Sequence, residues 1–159
     1  NLIAPLQMNM YYSALLNGGD VLIPQTSLGA EKKAWKEKIT SQDNINYINL
    51  ALEQAVNVVH LNARRSFARS AGKTGTAEVG ADGSVNLGWF CGYDLNNPYL
   101  CTCIMINYVE NRGGSDVNTG KFGRMLDELY VNGQKYVPSG VVLPQENAEN
   151  NTNAPQAKS

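Results

Sequence analysis

The chain has 159 residues, enough for one domain with a core of its own. A net charge of -1 with 17% charged residues lacks the basic footprint of a nucleic-acid binder, and 43% hydrophobic content is ordinary for a globular protein. No run reaches the roughly 18 apolar residues of a membrane span, and no signal peptide is recognisable.

The chain lacks an initiator Met and opens inside a helix-like pattern. It therefore reads as a piece of something longer, with any anchor or export signal outside it. Residues 4–17 predict a helix: Pro5 suits the first turn, Met8, Tyr11, Tyr12 and Leu15 share a face, and Gly18-Gly19 can end it. Val21 to Pro24 reads as a short extended exit. Lys32 to Lys38 is a basic run with one aromatic, read as a solvated hairpin or loop that Trp35 anchors to the body. A polyanion-binding patch is the less favoured reading, because the run is short and interrupted by Glu37. Ser41 is a plausible N-cap. The helix after it carries Ile45, Ile48, Leu52, Ala55, Val56 and Val59 at helical spacing, a predicted core face. His60, the only histidine, closes that helix, where the dipole favours a cation. It is not read as a general base.

Beyond a polar connection with Arg64, Arg65 and Arg69 come three strand candidates. Ser70 to Val79 is the first, Leu87 to Tyr93 the second and Tyr99 to Tyr108 the third. Asp82-Gly83 and Asn96-Asn97-Pro98 are the turns between them. Short turns make the three an antiparallel meander. The second and third runs are apolar on both faces and should be central strands. Ser115 or Asp116 can cap a last helix bearing Phe122, Met125, Leu126, Leu129 and Tyr130, with Gly133 as its stop. The fold class expected is α+β, an antiparallel sheet with helices packed on its faces. Residues 1–143 form the predicted domain portion. Residues 144–159, almost without apolar side chains, form a predicted disordered tail, in which the match of Asn150-Asn151-Thr152 to a glycosylation acceptor means little.

Cys91, Cys101 and Cys103 are an odd count without a C-x-x-C pair. A zinc site of three cysteines and His60 has the right ligand types but no usual spacing. Buried free thiols are the preferred reading, and neither metal nor cofactor is expected.

The stretch with chemistry in it is Ser70-Ala71-Gly72-Lys73-Thr74-Gly75-Thr76-Ala77-Glu78: a cation, hydroxyls and glycines in a run too glycine-rich to be a helix. Lys-Thr-Gly is one of three short motifs of serine acyl-transferases that act on penicillins and peptidoglycan stems. In order, the chain has a helix ending in Asn17-Gly18-Gly19, a long helix, Ala71 to Glu78, Gly88-Trp89-Phe90, Gly113-Gly114-Ser115 and a last helix. This order resembles the class B penicillin-binding proteins. Trp35-Lys36, Tyr93-Asp94, Asn97-Pro98 and Asp127-Glu128-Leu129-Tyr130 make the likeness greatest to the low-affinity, methicillin-resistance type of Gram-positive bacteria. It runs from residue 1 to about 136 and covers the C-terminal part of that family's transpeptidase domain, a partial domain of the penicillin-binding protein and serine β-lactamase fold.

The resemblance implies roles. Lys73 keeps the groove positive and bonds to the serine of a Ser-x-Asn motif. Thr74 binds the carboxylate of substrate or penicillin, Gly75 leaves room for the acyl donor, and the amide of Thr76 is one of two oxyanion donors. Lys73 and Thr76 are thus the catalytic candidates, Thr74 and Gly75 the substrate-binding ones. Ser70-Ala71-Gly72-Lys73 fits the nucleophile motif Ser-x-x-Lys literally. Residues three apart on a strand point to opposite faces, so Ser70 is rejected. Ser84-Val85-Asn86 fits Ser-x-Asn but follows Lys-Thr-Gly and lies in a predicted turn. The connection from Val59 to Arg69 lacks the Gly-Thr of many class B members.

The implied whole is a D,D-transpeptidase acting through an acyl-serine on peptidoglycan stem peptides and acylated by β-lactams. It would work on the outer face of the cytoplasmic membrane, through an anchor outside this chain. The nucleophile would come from the N-terminal part of the same domain, upstream or on a second chain. Alone, the piece should be inactive and expose a large apolar surface. The alternatives are a β-lactamase, a D,D-carboxypeptidase, a β-lactam sensor domain, or a non-catalytic scaffold of the same fold.

Overall fold

The computed structural model describes residues 3–27, 29–79, 85–107, 109 and 114–130. Helix α1 spans Pro5–Ala14, with Pro5 in its first turn, where a missing N–H costs nothing. The Gln7 side chain takes the Ala4 amide at 2.8 Å. The chain leaves α1 through Gly18 and Gly19, both at positive φ (85° and 103°), a region that favours glycine. Strand β1 (Val21–Leu22) pairs antiparallel with β2 (Ala34–Lys36) in a two-stranded ribbon. The basic run is thus a hairpin arm, but Trp35 does not anchor it by burial. It stays 56% exposed and meets Tyr11 edge-on at 6.5 Å.

Helix α2 (Gln42–Val58) begins as the sequence predicts, with Ser41 Oγ accepting the Asn44 amide at 3.3 Å. Its predicted core face is only partly buried. Ile45 and Val56 are inside, while Ile48 and Val59 are 40% and 67% exposed. Tyr47, Leu50 and Val58 also stand exposed. A one-turn 3-10 helix (Leu61–Ala63) follows.

The central element is a three-stranded antiparallel sheet in the order β3 (Ser70–Val79), β4 (Val85–Asp94), β5 (Asn97–Asn107). β4 is the middle strand, as its two-sided apolarity requires. Among the described residues β3 and β5 pair on one side only. The β4–β5 turn is tighter than the Asn96-Asn97-Pro98 expected. Asp94 Oδ1 accepts the Asn96 amide at 2.9 Å, so the strand resumes at Asn97. The Asp82-Gly83 turn and the region around Gly133, like the predicted tail, lie outside the described residues.

Side chains alternate across β4. Phe90 faces Phe122 of helix α3 (Val117–Leu129), with ring centroids 5.2 Å apart. Tyr93 meets Tyr12 of α1, 6.2 Å between centroids. The main core joins Val56, Ala63, Phe90, Phe122, Leu126 and Tyr130, with Met125 and Leu129 packed against it; this is the predicted stripe of the last helix. Asp116 sits at the N-cap of α3 but makes no side-chain cap, because a 3-10 turn (Gly114–Asp116) already leads in. The Arg65 guanidinium grips both oxygens of Asp127, which ties α3 to the connection before β3.

Candidate active site

Strand β3 changes character along its length. Ser70, Ala71 and Gly72 are buried, Lys73 and Thr76 are exposed, and Thr74 and Gly75 lie between. The buried half needs its glycine for packing: a Cβ on Gly72 would come within 2.5 Å of Phe90 Cζ. Gly75 has no such need. A Cβ there meets only Trp89 Cβ, at an ordinary 3.7 Å. The run Lys73-Thr74-Gly75-Thr76 is therefore an extended edge, paired in register with Cys91, Phe90, Trp89 and Gly88. An antiparallel edge strand turns alternate amides away from its partner. Gly88, opposite Thr76, is locked from behind: its carbonyl accepts from the buried Asn118 Nδ2 at 2.8 Å.

Lys73 reaches along the edge to its neighbour, donating to the Thr74 carbonyl at 3.1 Å and standing 3.4 Å from Thr74 Oγ1. Among the described residues it has no carboxylate partner. Its charge is left to the open edge. Ser70 is 4% exposed while Lys73 is exposed, the opposite-face relation that disqualifies Ser70 as a partner for the amine. Ser84 lies outside the described residues.

The structure adds a residue that sequence reasoning set aside. His60 Nε2 is 3.4 Å from Thr74 Oγ1, and His60 Nδ1 faces Asp116 Oδ1 at 3.9 Å. The ring stands edge-on to Phe90, 6.3 Å between centroids, and is 7% exposed. The expectation of a helix-end cation is overturned. Burial, then the Lys73 ammonium, push the His60 pKa below its usual value, against a weaker upward pull from Asp116; both main effects oppose the charged form. Nothing local in the sequence marks this contact, which depends on the 3-10 turn bringing the end of α2 back beside β3.

His60 is likewise no partner for the cysteines. Cys91 alternates to the face opposite Phe90, where its Sγ lies 2.8 Å from Cys103 Sγ, and Cys101 Sγ points to the Asn9 carbonyl of α1. The three-cysteine, one-histidine grouping does not form. Of the three thiols only Cys91 is fully buried; Cys101 and Cys103 are partly so. A hollow between α1 and the β1–β2 ribbon, lined by residues such as Leu6, Met10, Leu22 and Lys32, is separate from β3.

The chain matches the family model of the penicillin binding protein transpeptidase domain over residues 2–127. It is 31% identical over 123 residues to penicillin-binding protein 3 of Bacillus subtilis (strain 168), a match covering 71% of this chain and 18% of that protein. The chain therefore spans less than a fifth of this relative's length. The apo structure of the TP domain of Burkholderia pseudomallei penicillin-binding protein 3 superposes with a TM-score of 0.65 at 18% identity, covering 79% of this chain and 41% of that one. The D,D-transpeptidase domain of a peptidoglycan glycosyltransferase from Eggerthella lenta gives a TM-score of 0.59 at 21% identity, covering 79% and 32%. These structures establish the fold, a mixed α+β arrangement that is part of a larger domain. The chain belongs to the family of penicillin-binding protein transpeptidase domains.

Proposed function

We propose that the complete protein is a class B D,D-transpeptidase that cross-links peptidoglycan stem peptides through an acyl-serine and is acylated by β-lactams, and that this chain supplies the Lys-Thr-Gly edge of its groove. The observation that carries the reading is the partly exposed edge Lys73-Thr74-Gly75-Thr76, which follows a buried Ser70-Ala71-Gly72 and is accessible from Lys73 onward, in a chain of this family. In this reading Lys73 holds positive charge beside the reacting centre, and the Thr74 hydroxyl takes the donor's carboxylate. Gly75, which neither packing nor φ requires to be glycine, leaves clearance for the donor backbone. The Thr76 amide donates to the oxyanion, a contact whose loss costs about 3–4 kcal/mol of transition-state stabilisation.

The nucleophilic serine, its Ser-x-x-Lys partner and the Ser-x-Asn motif come from the N-terminal part of the domain, so this piece alone is inactive. The residues quoted above favour the low-affinity resistance type. The enzyme then works outside the cytoplasmic membrane, held by an anchor elsewhere in the protein. The test is intact-mass analysis of the complete protein after incubation with benzylpenicillin. One adduct, on a serine outside residues 1–159, is the expected result. No adduct, or an adduct on Ser70, would overturn the reading.

A further inference from the structure

We propose that His60 is a positioning residue for Thr74, holding the threonine hydroxyl so that its proton is presented to the carboxylate of the acyl donor or β-lactam. The inference rests on the transpeptidase reading and adds to it a residue from outside the Lys-Thr-Gly strand.

The ring is placed before any ligand arrives. The His60 amide donates to the Ala55 carbonyl at 2.9 Å, closing the end of α2, and the His60 carbonyl accepts from Ala63 at 2.9 Å, opening the 3-10 turn. Phe90 packs against the ring edge-on. Behind it Asp116 is held on one side-chain oxygen, Oδ2 accepting from Asn62 Nδ2 at 3.3 Å, and through its backbone carbonyl, which accepts from Thr119 Oγ1 at 2.6 Å. An imidazole on a backbone turn hydrogen-bonded at both ends and only 7% exposed has little freedom. Its Nε2 is directed at one atom, Thr74 Oγ1.

The chemistry follows from counting protons. A threonine hydroxyl has one proton and two lone pairs. It can donate to a carboxylate only if neither neighbour claims that proton. Lys73 Nζ, 3.4 Å away, can only donate. In the proposed tautomer the single ring proton of His60 is on Nε2, Nδ1 standing 3.9 Å from Asp116 Oδ1, beyond hydrogen-bond reach. Nε2 then donates to Thr74 Oγ1, both lone pairs are engaged and the hydroxyl proton turns to the open edge. A neutral ring suffices for this, and burial together with Lys73 favours the neutral form. A side chain without a polar atom at that position would let the hydroxyl rotate.

The test compares acylation of the complete protein by benzylpenicillin and by its methyl ester, in which the carboxylate is masked. His60→Phe should slow acylation by benzylpenicillin about tenfold, the size of one modest hydrogen bond, and change the ester rate less than about twofold. His60→Gln, whose amide can donate from a similar position, should restore most of the loss. Combining His60→Phe with Thr74→Val should cost no more than Thr74→Val alone, since coupled groups are non-additive. Equal losses on both ligands, no recovery with Gln, or additive losses would overturn the inference. A second readout is independent of turnover: the ring-nitrogen resonance of His60, assigned by its loss in His60→Gln, should move in Thr74→Val, and a resonance that stays put would overturn the contact. An unmodified protein that neither ligand acylates would overturn the transpeptidase reading and the carboxylate role together, whereas the resonance would still decide the hydrogen bond.

Discussion

Gly72 of β3 stands directly opposite Gly92 of β4, and the Phe90 ring fills the space that both leave open. A Cβ on either glycine would approach that ring to 2.5 Å. Gly72→Ala should therefore overpack the sheet and destabilise the protein by about 1–3 kcal/mol. Gly75→Ala, three residues along, should change stability by no more than about 0.5 kcal/mol while slowing acylation at least about tenfold, since small misplacements in a reacting groove are costly. Thermal melts and penicillin acylation rates of the two variants separate the roles. A Gly75→Ala protein that is fully active would remove the clearance role.

Tyr130 donates its hydroxyl to Asp94 Oδ2 at the end of α3, and both residues are buried, at 5% and 0% exposure. The other carboxylate oxygen accepts from the Arg69 and Asn96 amides at 3.1 and 2.9 Å. Asp94 thus joins the entry to β3, the β4–β5 turn and the last helix. Tyr130→Phe removes one donor from a buried carboxylate and should cost about 1–3 kcal/mol in urea unfolding. A loss no larger than that of an exposed substitution would contradict this.

His60 gives a pH dependence whose sign is determined. Its folded pKa lies below the ordinary value because of burial and Lys73, so the unfolded chain binds the proton more readily. The stability that comes from keeping the ring neutral is present above about pH 6.5 and is lost as pH falls below it. The melting temperature should therefore drop between pH 7 and pH 5 more steeply in the unmodified protein than in His60→Gln. Lys73→Ala, which removes the second cause, should also flatten the slope. Parallel profiles for the unmodified and His60→Gln proteins would contradict the account.

Much of this arrangement is legible in the sequence because local rules carry it. Ser41 caps α2, Pro5 opens α1, the Phe122–Leu126–Tyr130 stripe finds the core, and the glycine-rich run around Lys73 is a strand. Periodicity shows that a face is apolar but not what covers it, which is why Ile48 and Val59 fall on the apolar stripe yet stand exposed. Trp35 misleads in the same way. An aromatic in a basic run suggests an anchor, yet its only described ring contact is Tyr11, itself 40% exposed. The His60–Thr74–Asp116 grouping joins the end of α2, the middle of β3 and the start of α3. No motif spacing encodes such a meeting, since it depends on how the 3-10 turn and the sheet bring those three ends together.

The most direct test of the central claim, that the Lys73 edge lines an acylation groove, is the second-order acylation rate of the complete protein by a fluorescent penicillin, with and without Lys73→Ala. A loss of at least about a hundredfold, the lower range for removing one electrostatic stabiliser of the transition state, is predicted. An unchanged rate in the variant would remove Lys73 from the mechanism and contradict the account.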